Sequence, residues 1–165
     1  MKGGAAALRA GDVFRDPVLF LAAGFGAGLA PKAPGTAGTV VAIPLYLLLA
    51  GLAWPWRLGI LGLASLAGFV ICGSAARRLG VHDHPGIVWD EICGYLLTML
   101  LAPDGVLWIL AGFVFFRIFD IVKPWPVNLA DRRVAGGVGI MLDDLLAGAY
   151  GLAAMTALAY LTGTQ

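Results

Sequence analysis

Five apolar stretches follow one another along the chain, and the charges are confined to their ends. They are TAGTVVAIPLYLLLAGLA (36–53), LGILGLASLAGFVICGSAA (58–76), IVWDEICGYLLTMLLA (87–102), GVLWILAGFVFFRIFDIV (105–122) and MLDDLLAGAYGLAAMTALAYL (141–161). A helix that crosses hydrocarbon needs about 20 mostly apolar residues, with about 17 as a lower limit. Four stretches come near that length. The fifth, 87–102, is shorter and carries Asp90 and Glu91 near its start. Pro44 interrupts the first stretch, which a membrane helix tolerates better than a soluble one.

Composition excludes a soluble domain. Apolar residues make up 60% of the chain and charged residues 13%, about half the charge a soluble domain carries (roughly 25%). The expected fold is an all-α integral membrane protein, a polytopic helical bundle of about five spans. The stretch 17–29 is too short to span and is broken by Gly24, Gly26 and Gly28. It reads as a short N-terminal interfacial or re-entrant helix. A single membrane-embedded domain, 17–165, follows a polar segment, 1–16, that contains Asp12 and Asp16. That segment has no clear cleavage site and is expected to remain in the mature protein. Cys72 and Cys93 fall inside apolar stretches and read as small buried residues rather than a disulfide.

The net charge of +1 offers no basic surface for nucleic acid. The order of the charges says more. With the N-terminus in the cytoplasm, Lys2, Arg9, Arg15, Lys32, Arg77, Arg78, Lys123, Arg132 and Arg133 all fall inside, as the positive-inside rule requires. Only Arg57 breaks the pattern. Four spans with a re-entrant 87–102 segment would put Lys123, Arg132 and Arg133 outside, and this arrangement ranks lower.

Five spans bring the ionisable groups to one interface. Asp90 and Glu91 open one helix, Asp143 and Asp144 open another, and Arg117, Asp120 and Lys123 close a third. Lys32, Thr36 and Thr39 stand at the start of the first. Charges in a membrane are costly unless paired or hydrated, so they usually mark function. Adjacent helical residues point about 100° apart, so one of each acidic pair can face the bundle while its neighbour reaches loop or headgroup. Several carboxylates facing one cavity repel each other, and a hard divalent cation relieves that. Oxygen-only ligands at a phosphate site suit magnesium. The competing explanation is acidic charge complementing helix dipoles.

Arg117, Asp120 and Lys123 stay on one helix face. Arg grips phosphate bidentately and Lys acts as a point charge, although Arg117 could simply pair with Asp120 while Lys123 snorkels. PKAPGTAGT (31–39) could cradle a phosphate with its N–H groups and the hydroxyls of Thr36 and Thr39, or the threonines could cap the helix. His82 and His84 read as a polar turn, or as a contact for protons or substrate, and are too few for a zinc site. Together these parts suit a lipid phosphate whose acyl chains stay in the bilayer. The metal would clamp phosphate oxygens and support attack by water or by a carboxylate, while Arg and Lys stabilise the equatorial oxygens. The alternative class is a small transporter or lipid-binding membrane protein. Its intramembrane charges would normally sit near the midplane.

Four segments carry a resemblance: GFGAGLAPKAPGTAGT (24–39), HDHPGIVWDEICG (82–94), FRIFDIVKPWPV (116–127) and GGVGIMLDDLLAG (136–148). In this order they resemble the bacterial phosphatidylglycerophosphatase A family, over roughly residues 17 to 151. The resemblance implies a magnesium-dependent hydrolase at the cytoplasmic face of the inner membrane. It would convert phosphatidylglycerophosphate to phosphatidylglycerol and phosphate, with membrane lipids as its surroundings. It implies that Asp90, Glu91, Asp120, Asp143 and Asp144 are catalytic, with Asp90, Glu91 and Asp144 as metal ligands or bases. Lys32, Thr36, Thr39, Arg117 and Lys123 would bind substrate. Ala27 departs from the serine expected in many relatives. The DxxDG…AR run of CDP-alcohol phosphotransferases and the PSGH signature of type-2 phosphatidate phosphatases are missing from the sequence. Oligomeric state is not legible here.

Overall fold

Prolines and glycines mark where the helices start and stop. The computed structural model describes residues 8–82 and 84–164, so the first seven residues, Lys2 among them, Asp83 and Gln165 lie outside the described residues. The elements are α1 (Ala10–Arg15), α2 (Pro17–Ala22), a kinked 3-10 segment (Gly24–Leu29), α3 (Pro34–Ala50), α4 (Trp54–Leu79), α5 (Trp89–Thr98), α6 (Val106–Val122), α7 (Val127–Arg133) and α8 (Gly136–Thr162), with no strand among the described residues. Pro17, Pro34 and Pro55 sit in the first turns of α2, α3 and α4, where a missing N–H leaves no bond unmade. Asp16 caps α2, its carboxylate accepting from the Val18 N–H at 2.9 Å. Gly80 and Gly163, at φ 66° and 67°, end α4 and α8 in the left-handed conformation, a common glycine stop.

Arg57 has a local task. Its guanidinium donates to the carbonyls of Leu52 at 2.7 Å and Ala50 at 2.5 Å. It thus satisfies orphan acceptors at the end of α3, which accounts for the one cation that broke the charge alternation.

The helices run in alternating directions. Gly94 packs against the Asp144 backbone, Thr98 against Gly148 and Gly151, so α5 and α8 are parallel. Gly68 meets Met141 and Gly73 meets Gly137, so α4 is antiparallel to α8. Trp108 lies near Leu158 and Thr162, and Phe119 stacks near Tyr150, so α6 is antiparallel too. Gly35 abuts Glu91, and Tyr46 joins the core with Tyr95 and Met99, so α3 runs with α5. The starts of α3, α5 and α8 therefore share one end with the finishes of α4 and α6.

Small residues allow the closest contact. A Cβ on Gly148 would collide with the Gly94 carbonyl, and one on Gly94 would meet the Asp144 carbonyl oxygen at 2.7 Å. Thr98 sits in this seam, its hydroxyl donating to the carbonyls of Gly94 at 3.1 Å and Gly148 at 3.3 Å. Such seams suit helices in lipid, where close backbone packing replaces the hydrophobic drive.

The expected span over 87–102 is not a full helix. α5 has 10 residues, or about 15 Å, half the hydrocarbon thickness. Tight turns extend it: Leu100 N–H bonds the Leu97 carbonyl at 3.1 Å and Ala102 N–H that of Met99 at 3.2 Å. Pro103 disfavours helix at the residue before it. Even so, Leu101, Ala102 and Pro103 share a recess with Ala159 and Tyr160. The chain from Asp90 has by then followed α8 from Asp144 to Tyr160, about 24 Å of helix.

Two helices, α4 and α8, are long and apolar enough to cross a membrane, with only 33% and 28% of their most apolar windows buried. A core helix of a soluble protein would be mostly buried. Leu48, Leu63, Val70, Leu107 and Val114 also face outward, an apolar periphery suited to lipid.

Candidate active site

Where the starts of α3, α5 and α8 meet the end of α6, a cleft of about 380 Å³ opens. Pro34, Gly35, Asp90, Glu91, Arg117, Asp120, Lys123, Asp143 and Asp144 line it, with Pro85, Ile87 and Ile121. One carboxylate oxygen each from Asp90, Glu91 and Asp144 lies within 4.8 Å of the others. Asp90 Oδ1 and Glu91 Oε2 are buried without a hydrogen-bond partner among the described residues. Buried carboxylate oxygens left in this way are costly, and a cation between them removes the cost.

The two acidic pairs are built differently. Asp90 and Glu91 occupy the first turn of α5, and both enter the cluster. The 100° step allows one of them to face away, yet neither does: at a helix start, the side chains can converge around the open end. α8 begins at Gly136 and has no acidic residue in its first turn. Asp143 and Asp144 therefore sit in the third turn, too deep for dipole complementarity to explain them. Here the pair divides. Asp144 joins the carboxylate cluster, while Asp143 accepts from the Lys123 ammonium at 2.6 Å.

Lys123 closes α6 in the left-handed conformation, at φ 46°. Its ammonium also reaches Asp131 of α7 at 2.5 Å. Burial works against the charge, but Asp131 and Asp143 outweigh it and hold Lys123 above the ordinary lysine value. Arg117 Nη1 pairs with Asp120 at 2.6 Å, both largely buried. The i, i+3 geometry thus aligns a guanidinium along the cleft wall while Ile118 faces outward.

Gly35 explains part of the PGTAGT run. A Cβ there would collide with Glu91 Oε1 and approach Arg117 Nη1 at 3.4 Å. The glycine makes room for the carboxylate. Ala33, not a threonine, is the N-cap of α3, and no side chain caps it. Thr39 is fully buried and donates to the Gly35 carbonyl at 3.0 Å. Lys32 and Thr36 line an adjoining groove rather than the cleft.

The histidines tie loops together. Gly136 N–H donates to His82 Nε2 at 2.8 Å, and Gly86 N–H to His84 Nδ1 at 3.0 Å. His84 is buried, so the reading of a solvated turn does not hold for it. The sequence gives no separate signal for Asp131 or Gly35. Asp131 lies in a charged DRR run that reads as a topology signal, and only the fold brings it to Lys123.

Comparison with known proteins gives the same direction. The family model described as Phosphatidylglycerophosphatase A matches residues 20–159. The chain belongs to the phosphatidylglycerophosphatase A family. A Phosphatidylglycerophosphatase A of Escherichia coli (strain K12) is 46% identical over 134 residues, 81% of this chain and 78% of the relative. One of Haemophilus influenzae is 40% identical over 150 residues, 88% of this chain and 90% of the relative. A protein of Bacteroides thetaiotaomicron named Putative phosphatidylinositol-3-phosphatase is 39% identical over 141 residues, 81% of this chain and 87% of the relative. No solved structure matches the chain significantly. The family match spans every residue lining the carboxylate cleft.

Proposed function

We propose that this membrane-associated chain is a phosphatidylglycerophosphate phosphatase. It hydrolyses the phosphomonoester of that lipid to give phosphatidylglycerol and inorganic phosphate. The observation that carries the reading is the convergence of Asp90, Glu91 and Asp144 beside Arg117, at one end of an apolar helical bundle. The family of the chain supports the same activity.

The donor set fits magnesium: all its atoms are carboxylate oxygens, and Asp90 and Glu91 each bury an oxygen that has no hydrogen-bond partner among the described residues. Asp90, Glu91 and Asp144 would hold the ion. When bound, it supplies positive charge to the phosphate oxygens. The chain's own groups do the rest. Arg117 donates to the equatorial oxygens of the phosphoryl group, and Asp120 fixes the guanidinium for that task. Asp143 and Lys123 hold α8 against α6 and α7, which keeps Asp144 turned into the cluster. The uncapped first turn of α3 adds backbone N–H groups on the phosphate side.

The charged end faces the cytoplasm of a bacterial inner membrane in this reading. Arg77, Arg78, Arg132 and Arg133 cluster at that end, as the positive-inside rule requires. Five traversals follow if α5 and its tight turns count as one, which is supported by their run along α8 to Tyr160.

The test is phosphate release from phosphatidylglycerophosphate by purified protein in detergent, with magnesium and with EDTA. Magnesium-dependent release is expected, and no release from folded protein under any divalent metal would sink the reading.

A further inference from the structure

The groove holding Lys32 and Thr36 belongs to no step described above. It is an open groove of about 610 Å³, and its other walls include Gly26, Ala27, Ala37 and Val40. Only the first turn of α3 divides it from the carboxylate cleft. Pro34 and Gly35 face the cleft, while Lys32, Ala33 and Thr36 face the groove. Lys32 is exposed and Thr36 half-buried, and neither side chain makes a hydrogen bond or ion pair among the described residues. That separates them from Thr39, Lys123 and Arg117. Thr39 is committed to the Gly35 carbonyl, Lys123 to two aspartates and Arg117 to Asp120.

A recess with small apolar walls and one unpaired cation suits an anion joined to a hydrocarbon chain. The proposed substrate carries such a group. Its phosphodiester is one glycerol unit from the phosphomonoester and leads through the diacylglycerol backbone to the acyl chains. Lys32 is three residues from Gly35, just ahead of the N-cap of α3 and on the groove side of its first turn. We propose that this groove is the subsite for the phosphodiester and the adjoining acyl segment of the lipid, with Lys32 and Thr36 contacting the diester. The inference rests on the phosphatase reading. It separates two anion sites: Arg117 serves the phosphate that leaves, and Lys32 the phosphate that stays.

The diester does not change during the reaction, so its contacts are equal in the ground and transition states. Such contacts act on KM and not on kcat. The experiment compares wild type with Lys32→Gln in detergent micelles, reading kcat, KM and two inhibition constants. One inhibitor is phosphatidylglycerol, which keeps the diester and lacks the monoester; the other is inorganic phosphate. Loss of one charge-assisted contact should raise KM and the phosphatidylglycerol constant together by about tenfold. kcat and the phosphate constant should move by less than about twofold on the same grounds. Lys32→Arg should recover most of the loss. Ala37→Phe, which fills the groove without touching a charge, should weaken phosphatidylglycerol and spare phosphate. A fall in kcat with weaker phosphate inhibition would put Lys32 on the scissile group and overturn the proposal. An unchanged phosphatidylglycerol constant in both Lys32→Gln and Ala37→Phe would overturn it as well. A wild type that releases no phosphate would strike at the phosphatase reading instead.

Discussion

Two acidic pairs meet in this molecule, and they do not behave alike. Asp90 and Glu91 both enter the carboxylate cluster from the first turn of α5. Asp143 and Asp144 come from the third turn of α8, and the pair divides between Lys123 and the cluster. At a free helix end, neighbouring side chains can converge. Inside a packed helix, the 100° step sends them to different partners. Adjacent aspartates in the sequence therefore do not imply a shared task.

The sharpest way to break this comparison is to neutralise each member. Asp144→Asn should lower kcat by about a thousandfold, the scale of losing a group that organises charge in the transition state. Phosphate release measured beside a melting curve in detergent checks that the variant still folds. Gly35→Ala comes next. Its Cβ would push Glu91 out of position, and displacement of about 1 Å near the chemistry can cost about a hundredfold. Full activity in that variant would mean that the cluster does not need Glu91 where it stands.

Packing offers a third test. Gly148→Leu should destabilise the bundle by about 2 kcal/mol, since overpacking a tight seam costs 1–3 kcal/mol. Chemical unfolding in mixed micelles would read this, and a neutral result would mean that α5 and α8 can separate without loss. Asp143→Asn should cost about tenfold in activity, at the low end for a group that orients a ligand, and should raise the magnesium concentration needed for half-maximal rate. If it costs as much as Asp144→Asn, the division of the α8 pair is wrong. The smallest effect belongs to Asp131→Asn. Its pair with Lys123 is partly exposed, so about twofold in kcat/KM is expected, and a larger loss would show that α7 holds the site more firmly than its exposure implies.

Much of this was legible in advance because it depends on local chemistry. Apolar stretches of span length, prolines at helix starts and acidic pairs at stretch ends are one-dimensional features. They led to a helical membrane protein and to both acidic pairs, and the family resemblance singled out Asp90, Glu91 and Asp144. Other features were not legible. The stretch 87–102 has the composition of a span, yet only ten residues of it form α5, because the backbone tightens toward Pro103. Thr36 and Thr39 share one motif, but the turn of α3 sends one to the groove and buries the other.

The sequence by itself determined that the chain folds as helices with an apolar exterior, and that most of its charges gather at one end. Hydrocarbon length and the alternation of charge are enough for that. Only the tertiary structure decided which carboxylates meet. Their approach depends on how closely backbones pack at Gly94 and Gly148, and on the space that Gly35 leaves for Glu91. Those are distances between segments far apart in the chain, and no local pattern encodes them.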